Sequence, residues 1–168
     1  QRVQHGHRRD GRIDKELRTD NAAGDDVIVL DFKSLYPSII QTFKIDPYSN
    51  LKSNIDTIET LNGYKFSSTQ HFLPEFIDQL IEQRNIAKKK DKQLSQAIKI
   101  LMNSFYGVMG SFGCRFYHPN LPTAITGTGH KLLLGSKEFL AEKGYEVIYG
   151  DTDSLFIKLK EGEGENAE

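Results

Sequence analysis

The chain has 168 residues, with 22 Lys and Arg against 23 Asp and Glu and a formal net charge of -1, so no global basic field advertises a polyanionic partner and any anion binding must rest on local clusters. Its length suits one domain with a core, or a small domain carrying one large insertion. The single cysteine, Cys114, excludes an internal disulfide and a Cys-based zinc site and reads as a small core or half-buried residue. No apolar run approaches the roughly 20 residues of a membrane span, and QRVQHGHRRDGR lacks the apolar centre of a signal peptide. A soluble, intracellular protein is the expectation.

Residues 1–25 mix charge, Gly and Asn without periodicity and read as a loose leader or the end of an upstream region. Val27–Leu30 is a continuous apolar run, the mark of a buried strand, with Asp31 at its end. Pro37 suits the first turn of a short helix through Phe43, and Asp46-Pro47 is expected to close it. Residues 49–72 are polar and poorly periodic, with short extended pieces such as Tyr64–Phe66. Pro74 opens a helix to about Lys90, Asp91-Lys92 forms a tight connection, and a second helix runs from about Leu94 past Tyr106, ended by Gly107 and Gly110. So short a link predicts antiparallel packing. A third helix spans about Ala124–Lys143, stopped by Gly144. Tyr145–Tyr149 and Leu155–Leu159 alternate as strands around Gly150-Asp151-Thr152-Asp153, predicting a β-hairpin with acids at its tip. The tail after Lys160 is acidic, Gly-rich and expected to be disordered.

If the strand ending at Asp31 neighbours the hairpin bearing Asp151 and Asp153, three acids converge at one sheet edge. Carboxylates that close repel one another and call for cations. Mg²⁺ suits such a site when phosphates supply further ligands, and two ions about 4 Å apart can clamp both oxygens of a phosphoryl transfer. The bland alternative is that Asp151 and Asp153 merely serve a turn. An EF-hand loop does not fit, because its third acid, central Gly and closing Glu are missing.

Arg84 and Lys88 lie four residues apart on one helix face and continue the apolar stripe of Ile77, Leu80 and Ile81, so they are expected on the side that the helix buries. Lys89, Lys90 and Lys92 read as solvated charge. On the second helix Ile98, Leu101, Met102, Phe105 and Met109 form the apolar side. Lys99, Asn103 and Tyr106 share another. Together with Arg84 and Lys88 they could line one groove with three cations, an amide and a ring. Cations match a triphosphate, and a ring can stack on a base. Core packing is the competing account of Tyr106, and a solvated surface that of the basic pair.

Three stretches carry a family resemblance. Asp31-Phe-Lys-Ser-Leu-Tyr-Pro-Ser-Ile-Ile40 resembles the first polymerase motif of family B DNA polymerases. Lys99-Ile-Leu-Met-Asn-Ser-Phe-Tyr-Gly107 resembles the family's fingers motif, and Tyr149-Gly-Asp-Thr-Asp-Ser154 its third motif. They occur in family order over roughly residues 26–160. Gln96–Gly110, Cys114–Phe116, Ile125-Thr126 and Gly129-His130 look most like bacterial members.

The resemblance implies an α+β fold. An antiparallel palm sheet (26–48 and 111–160) would carry the acids, and an antiparallel helical hairpin of fingers (74–110) would be inserted after a connection at 49–73. Asp31 and Asp153 would be the principal ligands of two Mg²⁺, with Mn²⁺ as a substitute, and Asp151 a supporting acid. Tyr36 would be a steric gate against a ribose 2'-hydroxyl. The backbone around Ser34 and Leu35 would approach the triphosphate, and Arg84, Lys88 and Lys99 would grip its phosphates. Asn103 and Tyr106 would flank the nucleotide, while Thr152 and Ser154 would shape the turn near the primer end. Primer-template DNA and a deoxynucleoside triphosphate (dNTP) are the implied partners, together with exonuclease and thumb regions in cis or on another chain, and a sliding clamp. A cytoplasmic, nucleoid-associated location in bacteria or phage is implied.

Exonuclease motifs, the family's Tyr-x-Gly-Gly element, the downstream basic motif and the thumb are absent from these 168 residues, so a catalytic-core fragment of a larger or split gene is expected. Its rivals are a nucleotide- or DNA-binding piece inactive alone, and an RNA polymerase or reverse transcriptase on a similar palm.

Overall fold

A computed structural model describes residues 4–6, 13–18 and 27–159. Helices combine with an antiparallel sheet, as expected, and the chain divides into two compact units. One comprises Gln1–Lys33 with His130–Glu168, the other Ser34–Gly129.

The first unit is built on a five-stranded sheet ordered β1-β2-β3-β7-β6, from β1 (Gln4–Gly6), β2 (Ile13–Arg18), β3 (Val27–Phe32), β6 (Glu146–Asp151) and β7 (Ser154–Lys158). All its pairings are antiparallel. The β-branched run of β3 buries Ile28 and Val29, and β7 buries Leu155 and Ile157. Where the sequence suggested a loose leader, β2 pairs with β3 and β1 with β2. Their ladder is made by backbone groups, which a search for apolar periodicity does not detect, and a central strand needs partners along both edges. The rest of 1–25, and the tail expected to be disordered, lie outside the described residues. The β6–β7 register slips between Val147 and Tyr149. Such a bulge adds local twist just before the acid-bearing turn.

Helix α5 (Asn120–Glu142) ends as Gly144 predicts. Gly144 has φ +83°; its amide donates to Ala141 O (2.9 Å) and the Tyr145 amide to Leu140 O (3.0 Å), a Schellman cap that re-aims the chain into β6. The later turns of α5 and the sheet, through Leu30, Phe32 and Leu155, line an apolar cleft of about 360 Å³. That cleft takes the sheet face of Leu30 and Phe32. Strand alternation therefore turns Asp31 to the opposite face.

The second unit holds α1 (Leu35–Phe43), α2 (Pro47–Leu51), a hairpin of β4 (Thr57–Glu59) and β5 (Lys65–Ser67), α3 (Leu73–Lys90), α4 (Lys92–Gly110) and the start of α5. Asp46-Pro47 does not simply end α1: it opens α2, with Pro47 at the first helical position and Asp46 capping. The Asp46 carboxylate is 1 % exposed and accepts from the amides of Ser49 (2.5 Å), Phe72 (2.5 Å) and Leu73 (3.0 Å), so one side chain caps the starts of both α2 and α3. Asp91 joins α3 to α4. Its amide closes α3 on Ala87 O (2.7 Å), and its carboxylate accepts from Gln93 and Leu94 (both 3.0 Å) to start α4. Leu80 and Ala87 pack against Ile98 and Met102 between the two helices. Gly107 and Gly110 lie within α4, which continues to Gly110. No helix among the described residues is long and apolar enough to cross a membrane.

Asp46→Ala leaves three amides, one buried and two partly buried, without their acceptor. It should lower the unfolding free energy by about 2–4 kcal/mol, read as a reduced urea midpoint at unchanged m-value. A loss below about 0.5 kcal/mol would show that α2 and α3 do not depend on this cap.

Candidate active site

The acids sit where β3 meets β7. Asp31 lies opposite Ser154, and the Phe32 amide donates to the Asp153 carbonyl (2.8 Å). Strand geometry then sets the Cα atoms of Asp31 and Asp153 about 6 Å apart. Both are half-buried. The Ser154 hydroxyl donates to Asp31 Oδ1 at 2.9 Å across 123 residues of sequence, fixing that carboxylate. The motif had offered Ser154 only as a turn residue. Its role as the orienter of Asp31 follows from the strand register and could not be read from spacing.

The turn is shorter than the four residues suggested by the sequence, because β6 runs through Asp151 and only Thr152 and Asp153 connect the strands. Thr152 adopts φ +44°, a left-handed backbone that a β-branched residue tolerates poorly. Its hydroxyl donates to the exposed Asp151 carboxylate (3.0 Å). A Cβ on Gly150 would lie 3.1 Å from Leu155 Cδ2, so a larger residue there would require that side chain to shift by a few tenths of an ångström.

Among the described residues, no group of three or more His, Cys, Asp or Glu side chains is arranged to hold a metal ion. The expected convergence of three carboxylates is therefore not a ready-made cage. Asp31 is opposite Ser154 on β7 and Asp153 adjoins it in the turn, while Asp151 bonds Thr152. Two carboxylates do fit Mg²⁺, which is characteristically held by one or two acids and completed by water and substrate phosphates.

The second unit carries the candidate nucleotide-binding residues. Ser34 precedes α1 in a left-handed conformation (φ 54°), and its side chain makes no capping bond to the helix. Its oxygen instead accepts from Arg84 Nη1 at 3.3 Å. The amides of Leu35 and Tyr36 at the start of α1 are thus left uncapped by Ser34, next to a half-buried guanidinium. Of the two cations expected on the buried side of α3, Arg84 is half-buried but Lys88 is exposed. The buried stripe passes through Ile77, Leu80 and Ala87, which turns Lys88 off it.

On α4 the buried face is Ser95, Ile98, Met102 and Met109, with Phe105 half-buried and Leu101 43 % exposed. Lys99 and Asn103 are exposed and Tyr106 half-buried. The Tyr106 ring meets that of Tyr36 at 4.8 Å between centroids, tilted by 44°. Tyr106 is therefore packed against another ring and only partly buried. Cys114 is half-buried, as expected. Asn62 was missed: it reaches from the β4–β5 connection onto α5. The Asn62-Gly63 pair, with Gly63 at φ +88°, was the available hairpin signal.

In the first unit Asp31 and Asp153 lie at one end of the β3–β7 pairing, and in the second Arg84 bonds Ser34 ahead of α1. The DNA polymerase family B model matches residues 23–167, and the chain belongs to that family. DNA polymerase II of Escherichia coli (strain K12) is 46% identical over 142 residues, covering 81% of this chain and 18% of that protein. The DNA polymerase of Thermococcus gorgonarius is 32% identical over 157 residues, covering 84% of this chain and 20% of that protein. The solved family B DNA polymerase of the hyperthermophilic archaeon Pyrobaculum calidifontis matches with a TM-score of 0.68 at 26% identity, over 98% of this chain and 24% of that one. The chain thus spans a fifth or less of the curated relatives it matches here.

Proposed function

We propose that the chain carries the palm and fingers of a DNA-directed DNA polymerase, which joins the α-phosphate of a dNTP to a primer 3'-hydroxyl on a DNA template and releases pyrophosphate. The observation that carries this reading is the β3–β7 register, which pairs Asp31 with Ser154 and brings Asp153 beside it. Membership of the family supports it.

Asp31 and Asp153 are assigned as the metal ligands, and Asp151 as a nearby acid acting through water. Two Mg²⁺ ions, or Mn²⁺ in their place, would supply charge neutralisation at the attacking and leaving oxygens. Ser154 holds Asp31 in the orientation that a ligand needs. Ser34 is only three positions after Asp31, so the acid and the start of α1 are close in sequence. The backbone at Ser34 and Leu35, with Arg84, Lys88 and Lys99, is assigned to the triphosphate. These donors match its charge, and positioning with electrostatic stabilisation is most of what phosphoryl transfer asks of a protein. Lys88 and Lys99 are exposed, as groups that engage phosphates only when substrate arrives should be. Tyr36 is assigned to exclude the 2'-hydroxyl, and Asn103 and Tyr106 to flank the nascent pair. Thr152 shapes the turn beside the primer end. A reading of the chain as a binding module inactive by itself is favoured by the small share of its relatives that it spans.

Primer extension by the 168-residue chain and by the complete gene product tests both readings. Asp31→Asn and Asp153→Asn should each lower extension by the gene product at least about a thousandfold, and Asp151→Asn by about tenfold. Retained extension in either of the first two would remove the metal assignment. Nucleotide binding by the 168-residue chain with no extension at any Mg²⁺ concentration would favour the binding module. Ser154→Ala should raise the Mg²⁺ concentration for half-maximal extension about tenfold, as loss of a partner to a metal ligand does; an unchanged requirement would mean that Asp31 needs no orienter.

A further inference from the structure

Gly127 and Gly129 stand in the middle of α5, in the stretch Thr126-Gly127-Thr128-Gly129, and none of the roles assigned above uses them. Each glycine lowers helix stability by up to about 1 kcal/mol relative to Ala, so two so close together call for a packing reason. At Gly127 that reason is steric exclusion; at Gly129 an added Cβ would make ordinary contacts, and the small residue marks where α1 packs closely on α5.

A Cβ on Gly127 would overlap Asn62 Nδ2 and lie 2.9 Å from its Cγ, so the Asn62 side chain lies directly on the helix backbone. It is fastened there. Nδ2 donates to Thr123 O (2.9 Å), and Oδ1 accepts from the hydroxyls of Thr60 (2.9 Å) and Thr128 (3.2 Å). Thr60 and Thr128 are both buried. A Cβ on Gly129 would instead meet Leu35 Cδ2 and Tyr36 Cε1 at 3.5 Å and Ile39 Cδ1 at 3.6 Å. Two residues along a helix turn through about 200°, so the two glycines face opposite sides. Asn62 grips one side of α5 while α1, with the edge of the Tyr36 ring, packs on the other. The same ring meets Tyr106 of α4. Its position is therefore set jointly by α4 and by the placement of α5.

We infer that Gly129, held in place by the Asn62 clasp over Gly127, positions the Tyr36 ring and so sets how strictly a ribonucleotide is refused. The inference rests on Tyr36 being the sugar gate. Asn62, Gly127 and Gly129 touch no substrate in this account; they are positioning residues that act through Tyr36. A gate works by occupying space, and a small displacement of a positioned group can change a rate by an order of magnitude or more.

The test compares kcat/KM for a dNTP and the matching ribonucleotide in the complete gene product, with thermal melting as the measure of folding. Gly127→Ala evicts Asn62 and should reduce the dNTP preference about tenfold, mainly through a lower KM for the ribonucleotide, with kcat for the dNTP within about threefold of the parent. Asn62→Ala leaves the helix intact, serves if Gly127→Ala fails to fold, and should give a similar loss. Because both changes remove one clasp, the double variant should lose little more than either alone. Gly129→Val, which crowds the ring directly, should lose at least as much. Tyr36→Ala separates the two levels of inference. If it leaves sugar preference unchanged, the gate itself is wrong. If it abolishes preference while folded Asn62→Ala and Gly129→Val proteins discriminate like the parent, the positioning role is overturned and the gate stands.

Discussion

The pairing of β3 with β7 is the interaction on which the candidate site depends. Neither strand has a site alone. Asp31 ends an apolar strand near the start of the chain, and Asp153 sits in a two-residue turn more than a hundred positions later. The antiparallel register, anchored by Asp31 opposite Ser154 and by the Phe32 amide on the Asp153 carbonyl, converts that sequence distance into neighbourhood. Because side chains alternate along a strand, a slip of one residue would turn Asp31 into the apolar cleft in place of Leu30 and Phe32 and leave Ser154 without its partner. Burial of Ile28, Val29, Leu155 and Ile157 makes that slip costly, so the apolar residues of these strands set the geometry of the polar ones.

Backbone strain gathers at the same places. Of the four non-glycine residues with positive φ among those described, Ser34 and Thr152 fall within the family motifs, one at the start of α1 and the other in the acid-bearing turn. Each such conformation costs on the order of 1–3 kcal/mol and persists where surrounding structure enforces it. Around Ser34 the enforcement includes the Arg84 bond, which also diverts the serine from capping α1. Around Thr152 it is the β6–β7 ladder closing on a two-residue connection, whose favoured turns take positive φ at their first residue. A buried carboxylate does the reverse at Asp46, where three amides are satisfied at once and two helices begin in fixed relation.

Helix α5 shows how a second layer supports such a site. Its Schellman end delivers the chain into β6, and its glycine-bearing middle accepts Asn62 on one side and α1 on the other. These contacts carry no chemistry of their own. Their effect is to limit where α1, and with it the Tyr36 ring, can sit.

The amino-acid sequence alone determined the local elements and the chemistry available to them. The β-branched run of β3, the periodic apolar faces of α3 and α4, the Gly144 stop and the acids beside the hairpin turn all follow from patterns that near neighbours in the chain create. The family motifs were legible because they are such local patterns. What depends on distant partners was not. Strands β1 and β2 announce themselves by no apolar alternation, since the ladder that joins them to β3 is made by backbone groups that every residue carries. Asp46-Pro47 reads equally as a stop and as a start until Phe72 and Leu73 arrive to be capped. Lys88 and Arg84 share a helical face, yet only packing against other helices decided that Arg84 is half-buried and Lys88 exposed. Ser154 became an orienter of Asp31, and Asn62 a clasp on α5, through tertiary contact alone, because a hydrogen bond across 61 or 123 residues leaves no periodic trace in the sequence.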